Sequence, residues 1–513
     1  MRRLSARRGL LLLAPLLLLL VLILLPLGRL LLEGGSGGSW SLLRDDYLRW
    51  RFIWSLLQAG VTCVLALLFG LPVAWVLARF EFRGRVLISR LLLLPFVMPT
   101  LVAALGVLAL FGPHGVTGID LQGSPWLLLY GNLFYNLPLL ILAAQEGFAR
   151  VPASRLAAAR TLGAGPWRLF WRIELPGALP RLCSALCLIF LYCFSGFGLA
   201  LLLGGQRYAT VEVEIYTLVA YELNLADAGS LALLVLALTG SCALLYAWLE
   251  LRWARPVSGV ARISPRPRGW RARALLCAAL LIVLVFAFAP LLAILIRSWT
   301  AGASAWATLL DDETLAALAN TARFSAVALC AATLFGLAHA FALRRSLWLR
   351  ALSFLPYAVS PVCVAFGLLL LYPELSASLV MLLGAYTVLA YPFVARGVAS
   401  SLDALDPNVL NAARTLGASP LCLWWTTELP LVAVALRRGM AFAAATAMGE
   451  FAVTLFLSRP EWITLTTLIY QRLGRPGSAN LDSAMVLSCV LMLLALLAFV
   501  VIEWPGRRVS CLK

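Results

Sequence analysis

Residues 157–176 read AAARTLGAGPWRLFWRIELP, and residues 411–430 read NAARTLGASPLCLWWTTELP. Both stretches contain AARTLGA and close on Glu-Leu-Pro at the same offset, so one motif occurs twice, 254 residues apart. Long apolar segments surround each copy. Two hydrophobic halves, each presenting one such loop, describe a membrane machine with two matching docking points for a soluble partner.

Composition fixes the class. The 513 residues are 62% hydrophobic and 12% charged, with a mean hydropathy of +0.94, far more apolar than a soluble core needs. A net charge of +18 would suit nucleic acid, but the arginines lie between the apolar segments, where the positive-inside rule accounts for them. No nucleic-acid partner is expected. The eleven cysteines are scattered without a Cys-x-x-Cys pair and read as small packing residues.

A crossing helix needs about 20 apolar residues. On that length the sequence predicts an all-α polytopic membrane protein of about twelve spans, at 10–32, 53–78, 91–111, 126–144, 182–203, 229–250, 274–296, 321–342, 352–372, 378–395, 439–457 and 484–503. The first follows Arg2, Arg3, Arg7 and Arg8 and reads as a retained signal-anchor. Arginine-rich loops after spans two (Arg79, Arg83, Arg85, Arg90) and eight (Arg344, Arg345, Arg350) are expected in the cytoplasm. The segment with Arg44, Arg49 and Arg51 is the exception to that orientation. Both termini are then cytoplasmic. The expected organisation is a first half at 1–251 with its motif loop at 145–181, a basic linker at 252–273, and a second half at 274–513 with its loop at 397–438. The linker carries Arg252, Arg255, Arg262, Arg266, Arg268, Arg271 and Arg273, which would also suit a lipid-headgroup anchor.

The repeat extends beyond the loop. Pro138 and Pro392 are also 254 residues apart, and the proline pairs Pro95/Pro99 and Pro356/Pro361 recur at nearly that spacing. This is a parallel duplication, which keeps both loops on one side of the membrane.

Within the loop, Ala158 and Ala159, like Ala412 and Ala413, favour a short helix that a partner can approach closely. Gly163 and Gly417 supply the positive φ that ends it, and Leu175-Pro176 and Leu429-Pro430 restart the chain toward the membrane. Arg150, Arg155, Arg160, Arg168 and Arg172 suit acidic residues on a partner. The competing interpretation, a helix lying on lipid, is weakened by the matched second copy.

AARTLG followed by Ile173-Glu174-Leu175-Pro176 resembles the EAA loop of ABC importer permeases. Ala157 and Asn411 stand where that family usually has glutamate, and Thr427 replaces its isoleucine. The resemblance implies two tandem type I (MetI-like) permease halves, in which the loop is a coupling helix inserted into an ATPase cleft. It implies two ATP-binding cassette subunits, a periplasmic substrate-binding protein and a bacterial inner-membrane location. PTLVAALGVLALFG, LFYNLP, CFSGFGLALLLGGQRYATVEVEIY and MGEFAVTLFLSRPEWITLTTLIY are similar to fused permeases of the thiamine and ferric-iron type, with thiamine favoured by the GPHG loop at 112–115 and iron as the alternative.

Absences sharpen this. A Walker A loop needs a lysine, and the single lysine is Lys513, so ATP and Mg are expected on partner subunits, with no cofactor and no catalytic centre here. His114, in a turn sequence, and His339, near a helix end, are too isolated for a metal site. Glu450 is expected inside span eleven, opposite Gly196 in the repeat, with Phe451 matching Phe197. A membrane acid is costly and usually faces a bundle interior or a wet path, so Glu450 is a candidate wall for a cationic substrate; a hydrogen-bonded structural carboxylate is the alternative. Tyr135 and Asn136 are weaker path candidates, and Glu146 reads as an interfacial charge. Segments 204–227 and 458–482 read as outside scoops, one acidic (Glu212, Glu214, Glu222, Asp227) and one basic (Arg459, Arg472, Arg475), for the lobes of a binding protein or as packed surface helices. A secondary transporter or a membrane scaffold are the readings from other classes; the first would be expected to carry coupling acids in several spans.

Overall fold

The computed structural model describes residues 13–36, 45–253, 266–267, 269–343, 355–375, 378–457 and 459–503, and among them there is no strand. Arg2, Arg3, Arg7, Arg8, Arg44, Arg255, Arg262, Arg268, Arg344, Arg345, Arg350 and Lys513 fall outside the described residues.

The first helices are α1 (Leu13–Gly34), α2 (Asp46–Arg79), the bent pair α3 (Arg85–Val97) and α4 (Thr100–Phe111), α5 (Pro125–Ala149), α6 (Ala153–Thr161), α7 (Pro166–Phe194), α8 (Gly198–Leu203), α9 (Val211–Ala220), α10 (Leu225–Leu249) and α11 (Trp270–Thr300). There follow α12 (Asp312–Phe341), α13 (Pro361–Leu371), α14 (Leu379–Asp403), α15 (Pro407–Thr415), α16 (Trp424–Gly449), α17 (Ala452–Leu457), α18 (Leu465–Gly474) and α19 (Ser478–Glu503). Among the described residues ten helices are long and apolar enough to cross a membrane, or eleven if α3 and α4 are one span.

Among the described residues this is one or two below the expected count of about twelve, and proline shapes the difference. α3 and α4 meet at 104°, and α13 has only 11 residues. Proline has no N–H and forces its predecessor into extended backbone. Met98 before Pro99 and Ser360 before Pro361 both adopt it, with ψ of 139° and 138°. Spans five and eleven also begin earlier than expected, at Pro166 and Trp424, and end at breaks around Gly196 and Glu450.

The chain forms two compact units, one of Glu33–Gly302 and the other of Met1–Leu32 with Ala303–Lys513. These do not follow the chain halves at 1–251 and 274–513: α11, which follows the linker, packs in the unit of the first half, and α1 through Leu32 packs in the unit of the second. Each contact depends on a glycine. A Cβ on Gly106 of α4 would lie 2.9 Å from the Pro290 carbonyl oxygen of α11, and one on Gly367 of α13 would lie 2.9 Å from that of Pro26 in α1.

Both of these helices widen into a π turn just before the proline, at Leu20–Leu24 and Leu284–Phe288. In a π turn the N–H five residues on would serve the carbonyl, and at Pro26 and Pro290 there is none. A tyrosine substitutes in each unit. The Tyr372 hydroxyl donates to the Val21 carbonyl at 3.2 Å, and that of Tyr130 to the Val285 carbonyl at 2.5 Å. Within a bilayer, where water is absent, such freed carbonyls must be satisfied by protein.

Candidate functional site

The repeated loop folds the same way in both units. In the first, α6 ends on Leu162, and Gly163 takes φ +77°. Its N–H donates to the Arg160 carbonyl and that of Ala164 to the Ala159 carbonyl, both at 3.0 Å, closing a Schellman turn. In the second, α15 ends on Leu416 and Gly417 takes φ +84°, with the same bonds from Gly417 to Arg414 and from Ala418 to Ala413 at 3.0 and 3.1 Å. Only glycine takes this backbone without strain.

The helix faces are divided. Val151, Leu156 and Leu169 form a small core with Ala159, Ala164 and Ile173, which holds α6 in place. Ala158 and Ala412 are exposed, and Leu162 and Leu416 are each 88% exposed at the tip of the turn. Two leucines so exposed at matched positions are the most conspicuous apolar groups on these loops. Arg155, Arg160, Arg168 and Arg172 surround the first, also exposed. Burial and the nearby Arg181 draw the Arg150 guanidinium below its ordinary value, with Glu146 pulling it back up.

Beyond the loop, the chain passes through a π turn at Phe170–Glu174 and Trp424–Glu428, again 254 residues apart, before Leu175-Pro176 and Leu429-Pro430 open the membrane part of the helix. These turns were not foreseen from the sequence. Glu174 is buried and accepts a hydrogen bond from the Trp75 indole of α2 at 2.8 Å. Glu428 is buried at the matching position.

The path candidates occupy two different environments. Asn136 is buried in an amide network: its Nδ2 donates to the Asn132 carbonyl at 3.0 Å and to Cys193 Sγ at 3.3 Å. Asn132 Nδ2 donates to Gln58 Oε1 at 2.6 Å, and Gln58 Nε2 to the Cys193 carbonyl at 2.7 Å. These bonds join α2, α5 and α7. Tyr135 donates to the Phe96 carbonyl at 3.3 Å and packs on the Phe96 ring.

Glu450 does not lie within a continuous span, which corrects the expectation. It is the extended residue after α16, and its Oε1 accepts from the Val453 N–H at 3.0 Å, capping α17. Thr454 and Thr466 both donate to its carbonyl, at 2.9 and 3.3 Å, and the Tyr386 and Thr454 hydroxyls bond each other. In the other unit the break falls at Ser195 and Gly196, where a Cβ on the glycine would meet the Tyr192 carbonyl at 2.7 Å. Phe197 and Phe451 match more closely: each is buried on a tyrosine, Tyr216 of α9 at 5.4 Å and Tyr470 of α18 at 5.3 Å between ring centres.

The predicted scoops are α9 and α18, and both are largely buried. Glu212 and Glu214 are therefore not an acidic surface; of the expected acids Glu222 is exposed. Glu214 pairs with Arg51 of α2 at 3.2 Å and accepts from the Tyr47 hydroxyl at 3.0 Å. Burial pushes its carboxyl above the usual carboxylate range, while Tyr47 and Arg51 pull it down. Arg472 turns toward Glu313 at 3.1 Å and Asp311 at 3.6 Å, and Arg459 and Arg475 are exposed. His114 lies in an exposed turn, and His339 is buried against the Tyr391 ring. No group of three metal-ligating side chains occurs among the described residues.

Known proteins share this organisation. The family described as "Binding-protein-dependent transport system inner membrane component" matches residues 66–255 and again 331–510. The chain is 26% identical to the thiamine transport system permease protein ThiP of Escherichia coli (strain K12), over 92% of this chain and 93% of that one. It is 27% identical to ThiP of Salmonella typhimurium, over 92% of each. Over 31% of this chain and 75% of the relative it is 34% identical to the molybdenum transport system permease protein ModB of Azotobacter vinelandii. These relatives are not named for iron, so the iron likeness finds no support in them. With two matches that together span well over half its length, the chain belongs to the family of binding-protein-dependent transport system inner membrane components, as a multi-pass ABC importer permease that carries both halves in one polypeptide.

Proposed function

We propose that this permease moves thiamine, or a thiamine phosphate, into the cytoplasm when a periplasmic binding protein delivers it, driven by two ATP-binding subunits that grip α6 and α15. The observation that carries the reading is the pair of Schellman-capped helices, 254 residues apart, each ending in an exposed leucine beside a positive-φ glycine. The full-length likeness to ThiP supports the substrate. ATP and Mg then belong to the partners, and this chain converts their closure into a gate. Ala158, Ala159, Gly163, Leu175 and Pro176, with Ala412, Ala413, Gly417, Leu429 and Pro430, are assigned to coupling.

Glu450 is assigned to the cationic substrate; Phe451 beside it, and Gly196, Phe197, Tyr135 and Asn136 in the other unit, are assigned to the path each within its own unit. Glu450 places a carboxylate at a helix break, and thiamine carries a permanent positive charge that a carboxylate would complement.

The test is uptake of labelled thiamine by cells lacking their own importer. Replacing both Gly163 and Gly417 by valine should lower uptake by about 100-fold, because a β-branched residue at positive φ costs about 1–2 kcal/mol per site and misdirects the exposed leucine. Asparagine, which tolerates this backbone, should restore much of it. Unchanged uptake with the double valine variant, at normal membrane levels, would rule out coupling through these loops.

A further inference from the structure

We infer that α2 is a strut joining the ATPase-coupling loop to the outer helix α9, and that Trp75 is the positioning residue at its inner end; this rests on the coupling role proposed above. α2 has 34 residues and so spans about 51 Å without interruption, continuing through Pro72. That length exceeds the hydrocarbon core of a bilayer, about 30 Å.

Both ends are tied within one unit. At the outer end the Ser55 hydroxyl accepts from the Val211 N–H at 2.8 Å, the Trp54 indole donates to the Tyr208 carbonyl at 2.7 Å, and Arg51 pairs with Glu214 at 3.2 Å. At the inner end the Trp75 indole donates to Glu174 Oε2 at 2.8 Å, and its ring packs edge-on against Phe170. Glu174 closes the π turn that follows the coupling helix. A displacement of the loop therefore reaches α9 through one helix and two sets of directional bonds, without passing through loosely packed apolar side chains.

In the other unit the residue at the Trp75 position cannot make this indole bond. Ser55 and Trp54 correspond to Thr321 and Asn320, 266 residues on, and the same step takes Trp75 to Phe341. Phe341 packs against Trp424, the counterpart of Phe170, so the aromatic pair is kept with its members exchanged. The indole N–H now belongs to the loop, where it is buried and makes no hydrogen bond among the described residues. Phenylalanine at 341 has no hydrogen to donate to Glu428. The indole bond from the long helix to the loop glutamate is thus present in one unit, and in the other Phe341 offers that loop a ring contact in its place.

The test uses the full importer, purified with its ATPase subunits and reconstituted in nanodiscs, with thiamine-loaded binding protein added. The readout is the ratio of stimulated to basal ATP hydrolysis, which a merely structural residue would leave unchanged. Trp75→Phe keeps the ring and loses the donor; it should retain basal hydrolysis and lose about fivefold or more of the stimulation. Glu174→Gln keeps an acceptor and should keep stimulation, whereas Glu174→Leu should lose it even if Trp75→Phe fails to assemble. Phe341→Leu should have the smaller effect. Full stimulation of both Trp75→Phe and Glu174→Leu would overturn the strut, as would a loss with Phe341→Leu equal to that with Trp75→Phe. Failure of the unaltered protein to bind any ATPase subunit is a different result, and would remove the coupling role itself.

Discussion

The junction of α2 with α9 and that of α12 with α18 use the same fastening for the backbone and opposite fastenings for charge. In the first, the Ser55 hydroxyl donates to the Arg51 carbonyl one turn back and accepts from the Val211 N–H at the start of α9. In the second, Thr321 donates to the Ala317 carbonyl and accepts from the Leu465 N–H at the start of α18. Trp54 and Asn320 both donate to the loop entering the short helix. The ion pairs reverse: the base is on the long helix at Arg51–Glu214, and on the short helix at Arg472–Glu313. Duplication has preserved an acceptor for the first backbone N–H of each short helix, a group that is costly to leave unmet in an apolar environment. Charge placement was free to drift.

The two ion pairs also differ in burial, and this difference gives the largest expected effect. The side chains of Arg51 and Glu214 are 6% and 4% exposed, while those of Asp311 and Glu313 around Arg472 are 50% and 40% exposed. Removing one member of a buried pair strands the other, at about 3–5 kcal/mol. An exposed pair is worth about 0–1 kcal/mol. Arg51→Met should therefore lower the thermal stability of the detergent-solubilised protein strongly, and Arg472→Met slightly. Adding Glu214→Gln to Arg51→Met should recover part of the loss. Equal losses from the two arginine changes would mean that the outer junctions are equivalent despite their burial.

Glu450 and Gly196 offer a second contrast, at the helix breaks. Glu450→Gln removes the charge but leaves an oxygen to accept the Val453 N–H, so α17 should stay capped. If the carboxylate serves a cationic substrate, uptake should fall by about tenfold, or about 1.4 kcal/mol, with little change in stability. If its only work is capping, uptake should remain and a larger stability loss should appear with Glu450→Ala, by about 0.5–2 kcal/mol.

Much of this was legible in the sequence where local chemistry decides the structure. Gly163 and Gly417 announced two capped helices, because positive φ is a property of one residue and its neighbours. The proline pairs announced irregular helices, though hydropathy counted them as full spans. Helix partnership was not legible. α1 and α11 are apolar on all sides, so no stripe declares that Gly367 will meet Pro26 or that Gly106 will meet Pro290. The basic linker marks a boundary in the chain, and the packing of these two helices follows a different one. The polarity of the scoops was misjudged for a related reason. Glu214 read as surface charge because its partners, Tyr47 and Arg51 of α2, stand 167 and 163 residues back on the chain, beyond the reach of local patterns.

The smallest expected effect is the one that should be equal in both halves. Ser55→Ala and Thr321→Val each delete the hydroxyl that meets the first N–H of a short helix, at 2.8 Å in one case and 2.9 Å in the other. The carbonyls of Arg51 and Ala317 lose little, because each still accepts from its own helix backbone. What remains is one buried N–H without its acceptor, a loss of about 1 kcal/mol, and membrane hydrogen bonds lie toward the lower part of that range at about 0.6 kcal/mol. In hydrogen exchange the amides of Val211 and Leu465 should then each lose about three- to fivefold of their protection, with neighbouring turns of α2 and α12 unaffected. Thr464 complicates only the second site, since its hydroxyl and that of Thr467 already form a capping box around the same turn. A smaller loss at Leu465 than at Val211 would therefore show the box sharing the work of Thr321. A loss confined to Val211 would show that the box alone suffices, and that the shared hydroxyl latch matters only in the half that lacks it.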